Sequence, residues 1–393
     1  MQDCIREIIK TKRAQTLSEP FYVFDLDRLK AHVDEIQKRF ADNMTLCYAI
    51  KANPFLIAPL DAQLTKYEVC SPGELDICLH LGIDTKKIVF SGVNKRPADI
   101  ARAIEAGAGV VTLESYNQYL WVKEYVEEHD ASVTILPRLS NGFQFGMSEE
   151  ELADIVAHHD ADPRIHLIGV QYFTGTQKKL SKTLEEIDYI VSLVSRLEKE
   201  YGYHAEQIEY GAGIKVAYFE GEDLEHPYDE LDQICTHIKE NYADRTFIIE
   251  LGRYVAAYCG YYATSVTDTK INGDRRFALV DGGMNHVNYY GQNMAMRVPE
   301  LTHDQLEASG EEEDWTIVGS LCTFADILIR KVHIKTPKIG DILIFHRIGA
   351  YSVTEGIYLF LSRRMPEIYY YSKGSGMELI REGIESSTLN GGK

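Results

Sequence analysis

The stretch Tyr48-Ala49-Ile50-Lys51-Ala52-Asn53 decides the fold. The apolar run 46–50 predicts a short buried strand that ends at Lys51, just before Asn53 and Pro54. In a barrel of parallel strands the carboxyl ends carry the chemistry, and a partly desolvated lysine there can lose its proton and form a Schiff base. Taken alone, Lys51 has a commoner alternative, a solvated residue that closes a strand.

Seven further strand-like runs follow, separated by amphipathic segments with helical spacing. With the first run, the predicted strands are 46–50, 67–70, 88–91, 109–113, 133–138, 168–173, 208–210 and 247–250. Eight strands alternating with helices are typical of a (β/α)8 TIM barrel, although a doubly wound open sheet gives the same local pattern. The strand count favours the barrel.

After about Tyr258 the pattern changes to strands and turns without intervening helices. The predicted strands here are 261–266, 277–280, 316–318, 341–345, 358–361 and 368–371, and the acidic run 311–314 is predicted to be a solvated loop. We therefore expect two domains, an α/β barrel over residues 27–258 and a β domain formed by 1–26 and 259–393.

Composition excludes several functional classes. The chain has 393 residues, of which 45% are hydrophobic and 26% charged, as in ordinary globular proteins. Its net charge of -19 disfavours nucleic acid as a partner. The seven cysteines are scattered and form no C-x-x-C pair, which argues against a disulfide framework and a zinc site, and no metal is predicted. Without an 18-residue apolar run or a signal core, neither membrane nor secretion is expected, and cytoplasm is the default.

If the barrel is right, the residues at its carboxyl strand ends form one site. They are Lys51, Cys70, Gly92, Glu114, Arg138, Phe173, Gly211-Ala212-Gly213, Glu250 and Gly252-Arg253. The glycine turns allow close backbone approach to a phosphate, and the arginine guanidinium suits it, although a simple tight turn explains the glycines equally well.

Glu250 ends the apolar run Phe247-Ile248-Ile249, so its carboxylate requires a partner. A structural salt bridge is one possibility. The other is a carboxylate facing a pyridine nitrogen, which keeps that ring protonated and electron-withdrawing. Phe173 would then offer a flat apolar face to the ring, although an aromatic residue at a strand end is more often part of the core.

Several motifs, in this order, resemble those of the fold-type III pyridoxal-phosphate decarboxylases, the relatives of ornithine, arginine and diaminopimelate decarboxylase. The resemblance covers about residues 20–372. The motifs are the Lys51 stretch, Cys70-Ser71-Pro72-Gly73-Glu74-Leu75, Ser91-Gly92-Val93-Asn94-Lys95, Gly211-Ala212-Gly213, Glu250-Leu251-Gly252-Arg253, Asp281-Gly282-Gly283-Met284-Asn285, Gly319-Ser320-Leu321-Cys322, and Gly340-Asp341 with Gly349-Ala350-Tyr351.

The resemblance implies an alanine racemase-like barrel, a C-terminal β-sandwich or β-barrel domain, and pyridoxal 5'-phosphate as cofactor. Lys51 would form the internal aldimine and Glu250 would pair with the pyridinium nitrogen. The other cofactor contacts would come from Arg138, Phe173, Thr176, Gly211, Gly213, Gly252, Arg253 and Tyr351. Decarboxylation of an L-amino acid would pass through an external aldimine and a quinonoid carbanion, and Cys322 of the partner subunit in a homodimer with shared active sites would return the proton.

Two other functions remain open. A racemase of the same fold type is disfavoured because such enzymes place an arginine at the ring nitrogen, where this chain has Glu250. A catalytically silent, decarboxylase-like regulator is disfavoured because Lys51, Arg253 and Cys322 are all retained.

Departures from the family pattern bear on the substrate. Phe173 replaces the histidine that stacks on the ring, Gln144 replaces a lysine, and the acidic residue of the Cys70 motif is Glu68. Where the family usually has an acidic residue after the catalytic cysteine, this chain has Thr323, and Asp326 lies three positions further on. A buried ammonium requires a carboxylate, so ornithine and lysine are less favoured.

The arginine that diaminopimelate decarboxylases use for a distal carboxylate is also missing from the segment around Tyr289. Cys322, Thr323, Asp326 and Tyr289 are therefore the predicted substrate-facing residues. The pattern resembles a subgroup of secondary metabolism in which the amino acid is held on an acyl carrier protein.

Overall fold

A computed structural model describes residues 2–15, 19–292, 294–307 and 310–391. The chain divides into two compact units. The barrel unit comprises Val33–Val216 and His226–Val255, and the β unit comprises Met1–His32, Ala217–Glu225 and Ala256–Lys393.

The strands are β1 Phe21–Asp25, β2 Met44–Ala49, β3 Lys66–Val69, β4 Ile88–Phe90, β5 Val110–Leu113, β6 Val133–Leu139, β7 Ile165–Leu167, β8 Gly169–Phe173, β9 Gln207–Gly211, β10 Phe247–Leu251, β11 Gly260–Asn272, β12 Arg275–Val280, β13 Leu301–Asp304, β14 Glu312–Val318, β15 Ile327–Lys335, β16 Ile342–His346, β17 Glu367–Ser372 and β18 Gly376–Arg381. The helices are α1 Gln2–Ala14, α2 Leu26–Arg39, α3 Ile57–Leu60, α4 Pro72–His80, α5 Pro97–Glu105, α6 Tyr116–His129, α7 Glu149–Ala157, α8 Leu180–Tyr201, α9 Asp229–Asn241, α10 Arg253–Ala256 and α11 Ser387–Asn390.

The barrel unit closes on itself. Its parallel strands run in the order β2, β3, β4, β5, β6, β8, β9 and β10, and β10 pairs back to β2 with Glu250 opposite Cys47. The short strand β7 extends this sheet beside β6. The predicted (β/α)8 barrel is confirmed, and the open sheet is excluded because an open sheet has two edge strands that do not pair with each other.

Alternation along the barrel strands separates an apolar layer from a polar one. An apolar cluster is formed by Cys47, Val89, Val110, Leu136, Ile168 and Ile248. Two residues beyond Ile248, on the same face of β10, lies Glu250. Glu68, Gln171, Glu209 and Glu250 are all buried, so their strands place polar groups inside the barrel and towards its carboxyl end.

The β unit contains one mixed sheet of nine strands. Its main path is β15, β14, β12, β11, β1, β17 and β18, while β16 pairs with both β11 and β13. Helix α1 contributes Cys4 and Ile8 to an apolar core that includes Phe21 and Val23 of β1. No helix among the described residues is long and apolar enough to cross a membrane.

Two predictions in the β unit were wrong. Residues 358–361 do not form a strand, and Phe360–Ser362 is a 3-10 turn. The acidic run is not a loop, because Glu312–Val318 forms β14 and pairs with β15. Cations on neighbouring strands offset the acidic charge, with Lys331 Nζ 2.7 Å from Asp314 Oδ2.

Candidate active site

Lys51 lies at the carboxyl end of β2. The strand ends at Ala49, and a 3-10 turn over Ile50–Ala52 carries the lysine. The side chain of Asn53 then accepts a hydrogen bond from the Phe55 amide, which begins the next turn. The lysine side chain keeps 37% of its surface accessible.

The amine of Lys51 is held by an acidic partner. Nζ lies 2.8 and 3.0 Å from the two carboxylate oxygens of Glu68, and 3.3 Å from Cys70 Sγ. Burial is the largest influence on the pKa of Lys51 and lowers it, but Glu68, Cys70 and Glu250 together outweigh burial, so the net pKa is well above the usual value. Lys51 therefore holds its proton here, whereas the sequence predicted a lysine that loses its proton through desolvation.

Glu250 lies inside the barrel beside two other polar side chains. Gln171 Nε2 donates a hydrogen bond to Glu250 Oε1, and the carboxyl of Glu209 contacts that of Glu250. Burial raises the pKa of Glu250, while hydrogen bonds from Glu209 and Gln171 oppose that rise. The structural salt bridge, one of the two alternatives left open by the sequence, is not the arrangement seen, because the described contacts of Glu250 are with a glutamine and a second carboxyl group.

A glycine at position 211 leaves room for the ring of Phe173. The two residues are opposite each other in the β8–β9 pair. A Cβ on Gly211 would lie 2.3 Å from a ring carbon of Phe173, which no real structure tolerates. The glycine therefore fixes where the aromatic ring lies at this end of the barrel.

Gly213 brings two loops together. Its φ of +60° favours glycine, and a Cβ there would lie 2.2 Å from the carbonyl oxygen of Gly175. The Lys178 amide donates to the Gly213 carbonyl at 3.0 Å, and the Gln177 side chain bonds both backbone groups of Val216. The loops after β8 and β9 thus form one ordered surface, and Thr176 lies on the first of them.

Arg138 completes this end of the barrel. Its Nη1 donates to Glu114 Oε1 at 2.7 Å, and its Nη2 donates to the Phe173 carbonyl at 3.3 Å. Gly252 packs within 3.2 Å of Ala49, beside the turn that carries Lys51, and Arg253 follows it as the first residue of α10. The barrel unit thus brings its predicted site residues to one end.

This geometry has counterparts in known proteins. Residues 26–257, more than half of the 393-residue chain, match the family profile described as pyridoxal-dependent decarboxylase, pyridoxal binding domain. The chain belongs to this family. It is a pyridoxal-phosphate-dependent amino acid decarboxylase, which confirms the enzyme class and the cofactor predicted from the sequence.

The decarboxylase is similar over nearly its whole length to proteins with named substrates. It is 30% identical to L-glutamyl-[BtrI acyl-carrier protein] decarboxylase of Niallia circulans, over 94% of this chain and 92% of that protein. It is 27% identical to 2-[(L-alanin-3-ylcarbamoyl)methyl]-2-hydroxybutanedioate decarboxylase of Staphylococcus aureus, over 94% and 98%. The diaminopimelate decarboxylase structure of Helicobacter pylori matches with a TM-score of 0.83 at 22% identity, over 98% of each chain, and shows the shared fold.

The residues present in the decarboxylase fit pyridoxal phosphate. Gln171 Oε1 and Arg138 Nε are buried without a hydrogen-bond partner among the described residues, so this end of the barrel has polar capacity left over. Both atoms suit a polar ligand at this end.

The remaining predicted residues of the decarboxylase lie in the β unit. Tyr351 follows β16 with a φ of +68°, and its carbonyl accepts from the Glu355 amide at 2.8 Å. Cys322 is exposed and lines an open cavity of about 540 Å³ with Ser320 and Arg363. Thr323 is next to it and is also exposed.

Two of the predicted substrate residues have contacts that hold the β unit together. Asp326 is buried, with Oδ1 accepting from the Met284 amide at 2.7 Å and Oδ2 from the Leu321 amide at 2.6 Å. Tyr289 is also buried, and its hydroxyl donates to the His346 carbonyl at 2.6 Å. These contacts differ from the substrate-facing role that the sequence predicted for both residues.

Sequence reasoning assigned no role to two carboxyl groups of the site. Glu68 was noted only as a departure from the family pattern, yet it holds Lys51. Glu209 was not singled out, although a glutamate within the apolar strand 208–210 was the available signal. A second lysine, Lys95, also lies close by; burial lowers its pKa to about 8, and its amine donates to the Gly92 carbonyl at 2.6 Å.

Proposed function

We propose that this protein decarboxylates an L-amino acid whose side chain carries a neutral acyl extension, and that glutamate tethered to an acyl carrier protein is the first candidate. The observation that supports this is the engagement of Asp326. Both of its oxygens accept backbone amides and the side chain is buried, so the carboxylate is turned away from a distal ammonium. Thr323, beside Cys322, offers only a hydroxyl.

The named relatives agree with an extended substrate. One acts on a glutamyl group carried by an acyl carrier protein. The other acts on an alanine-3-yl group joined through a carbamoyl group to a hydroxybutanedioate. Decarboxylation requires a free α-carboxylate, so a tethered glutamate must be joined to its carrier through the side-chain carboxyl. That linkage converts the far end of the amino acid into a neutral thioester.

The barrel residues have separate tasks in this proposal. Pyridoxal phosphate, when bound, supplies the electron sink for the pair of electrons left on Cα as carbon dioxide departs. Lys51 provides the amine for the cofactor's aldehyde, and Glu68 keeps that amine oriented. Glu250 would hold the proton on the ring nitrogen, and Phe173 would pack against the ring face. Arg138, Thr176, Gly211, Gly213, Gly252 and Arg253 complete the cofactor site.

The β unit contributes the proton. We assign to Cys322 of the partner subunit the protonation of Cα after carbon dioxide has left, which requires a homodimer with shared active sites. Its exposure supports this role, because a proton donor must reach the substrate. Tyr351 as a phosphate ligand, the domain limits 27–258 and 1–26 with 259–393, and a cytoplasmic location all stay predictions.

The test compares substrates under one set of conditions. Purified protein loaded with pyridoxal phosphate is given glutamyl carrier protein, glutamyl pantetheine thioester, free glutamate, ornithine, lysine and diaminopimelate, and carbon dioxide release is followed. We expect the carrier-bound substrate to be turned over fastest, with K51A inactive on all of them. Faster turnover of a free diamino acid would contradict the proposal. Deuterium entering Cα without carbon dioxide release would instead support the racemase alternative.

A further inference from the structure

Two carboxyl groups meet inside the barrel where the mechanism above uses only one. Glu209 on β9 and Glu250 on β10 are in side-chain contact. Glu209 has no accessible surface and Glu250 has 8%. Two ionised carboxylates in contact, both out of reach of water, would repel each other strongly.

The hydrogen bonds around Glu209 indicate that the two carboxyl groups share one proton. Gln207 Nε2 donates to Glu209 Oε2 at 3.2 Å, whereas Glu209 Oε1 has no donor among the described residues. With both carboxyl groups ionised, Glu209 would therefore bury one oxygen unsatisfied, at a substantial cost. A proton on Oε1 removes that problem, because it can be donated to the neighbouring carboxylate of Glu250.

The charges that face the pair favour Glu209 as the group that carries the proton. Burial raises the pKa of Glu209, the charge of Glu250 raises it further, and Lys66 opposes the rise only in part. Glu250 has other support as an anion, since Gln171 donates to it and Lys51 is nearby. Glu68 faces both groups and disfavours a second negative charge.

We propose that Glu209 is a positioning residue that keeps its proton at neutral pH and donates it in a hydrogen bond to Glu250. The donated bond stabilises Glu250 as an anion and lowers its basicity. The proton shared between Glu250 and the ring nitrogen then stays on the ring, where it makes the ring electron-withdrawing. This second part rests on the proposed function, but the proton on Glu209 does not.

The first experiment is infrared spectroscopy on protein freed of cofactor. A protonated buried carboxyl gives a C=O stretching band that ionised carboxylates lack, and the band shifts in deuterium oxide. We expect this band at neutral pH in the wild type and in E186Q, and its loss in E209Q. Glu186 is the matched control because it is equally buried but is paired with Lys178 at 2.6 Å.

A band that survives in E209Q, or one absent from the wild type, would overturn the proposal. If E209Q does not fold, wild-type protein with 13C-labelled glutamate side chains replaces it. In its carbon NMR spectrum, one carboxyl carbon should then keep the chemical shift of a protonated group across the neutral pH range. If no carboxyl carbon does so, the proposal is overturned.

The second experiment separates positioning from packing. The amide of E209Q can still donate to Glu250, whereas E209L cannot. We expect E209L to lower the decarboxylation rate by about tenfold or more, because a hydrogen bond to a charged group is lost, and to shift the pH profile of the bound cofactor's visible absorbance. E209Q should stay close to wild type in both. An equal loss of rate in the two variants would indicate that Glu209 acts through packing alone and would contradict the proposal. If the wild type shows the infrared band but releases no carbon dioxide, the result counts against the proposed function only.

Discussion

The carboxylate of Glu68 holds the ammonium of Lys51 through both oxygens, at 2.8 and 3.0 Å. Adjacent strands make this possible, because Ala49 lies opposite Glu68 in the β2–β3 pair and Lys51 is two residues further along. The lysine that we propose to react with the cofactor is thus also the cation of an ion pair. Its reactivity should then depend on Glu68.

Replacing Glu68 by glutamine should make Lys51 reactive at lower pH. The carboxylate raises the lysine pKa, so removing its charge lets the amine lose its proton earlier. Cofactor-free E68Q is mixed with pyridoxal phosphate, and the visible absorbance of the linked cofactor is measured across a range of pH. The pH midpoint of this absorbance should be lower in E68Q than in the wild type. E74Q is the control, since Glu74 accepts the Cys70 amide instead. An unchanged pH midpoint in E68Q would show that Glu68 does not control the reactivity of Lys51. K51A, which lacks the amine, should show no absorbance from covalently linked cofactor.

Replacing Cys322 by alanine should leave the cofactor bound and slow the reaction. The thiol is exposed in the β unit, and its substitution touches none of the barrel contacts described above. Loss of one proton-transfer group costs about two to four orders of magnitude in rate. Visible absorbance should therefore match that of the wild type while carbon dioxide release falls. C235A, at a buried cysteine of α9, controls for general loss of thiols, and an unchanged rate in C322A would refute the assignment.

Adding a methyl group at Gly211 should weaken cofactor binding through Phe173. The new Cβ would lie 2.3 Å from the ring, so the ring must move, and overpacking of this kind costs about 1–3 kcal/mol. Titration of cofactor-free G211A with pyridoxal phosphate should give a higher Kd. The double variant G211A/F173A should lose less than the sum of the two single variants, because the clash no longer exists. Full additivity would contradict this relationship.

The barrel strands could be predicted from the sequence because each is almost wholly buried and therefore almost wholly apolar. Strand β10, with all of its residues buried, is the clearest case. Much of the sheet in the β unit faces solvent instead, so β15 alternates between apolar and basic residues and β14 begins with acidic ones. Such strands lack the apolar run on which the prediction depended.

The site was predictable where one residue or one loop carries the signal. Lys51, Glu250 and the glycines after β9 were predicted in this way, and the structure places them at the same end of the barrel. The roles of Glu68, Glu209 and Asp326 were not, because each depends on a neighbour that is distant in sequence. Glu209, for example, meets Glu250 across a strand pair whose register the sequence does not reveal.

His286 should make stability depend on pH below about 6.5. Burial lowers its pKa to about 3 from an ordinary 6.5. The unfolded chain therefore binds a proton that the folded chain does not, and stability that is complete above pH 6.5 falls as the pH drops towards 3. The slope contributed by one such group is about 1.4 kcal/mol per pH unit. Denaturant unfolding between pH 7 and 4 should show a shallower dependence in H286Q, with H129Q, at an exposed histidine, as control.

Replacing Asp326 by asparagine should disorder the loop that carries Cys322. One carboxylate oxygen accepts the Met284 amide and the other accepts the Leu321 amide. An asparagine has one oxygen and one NH2 group, so one amide would lose its acceptor and face a donor. Gly283 and Gly319 pack so tightly against the carboxylate that the side chain cannot rotate away, since a Cβ on either would lie within 3 Å of it.

We expect D326N to lose about 1–3 kcal/mol of unfolding free energy, the usual cost of a buried unsatisfied group. The loss should be accompanied by a fall in decarboxylation, while the visible absorbance of the cofactor in the barrel persists. D314N is the matched control, because Asp314 is half exposed and pairs with Lys331 at the surface. Chemical denaturation and carbon dioxide release measure the two effects separately. If the wild type acted on ornithine or lysine and D326N kept full stability but lost that activity, the carboxylate would be a substrate contact instead, and the case for a neutral substrate extension would fail with it.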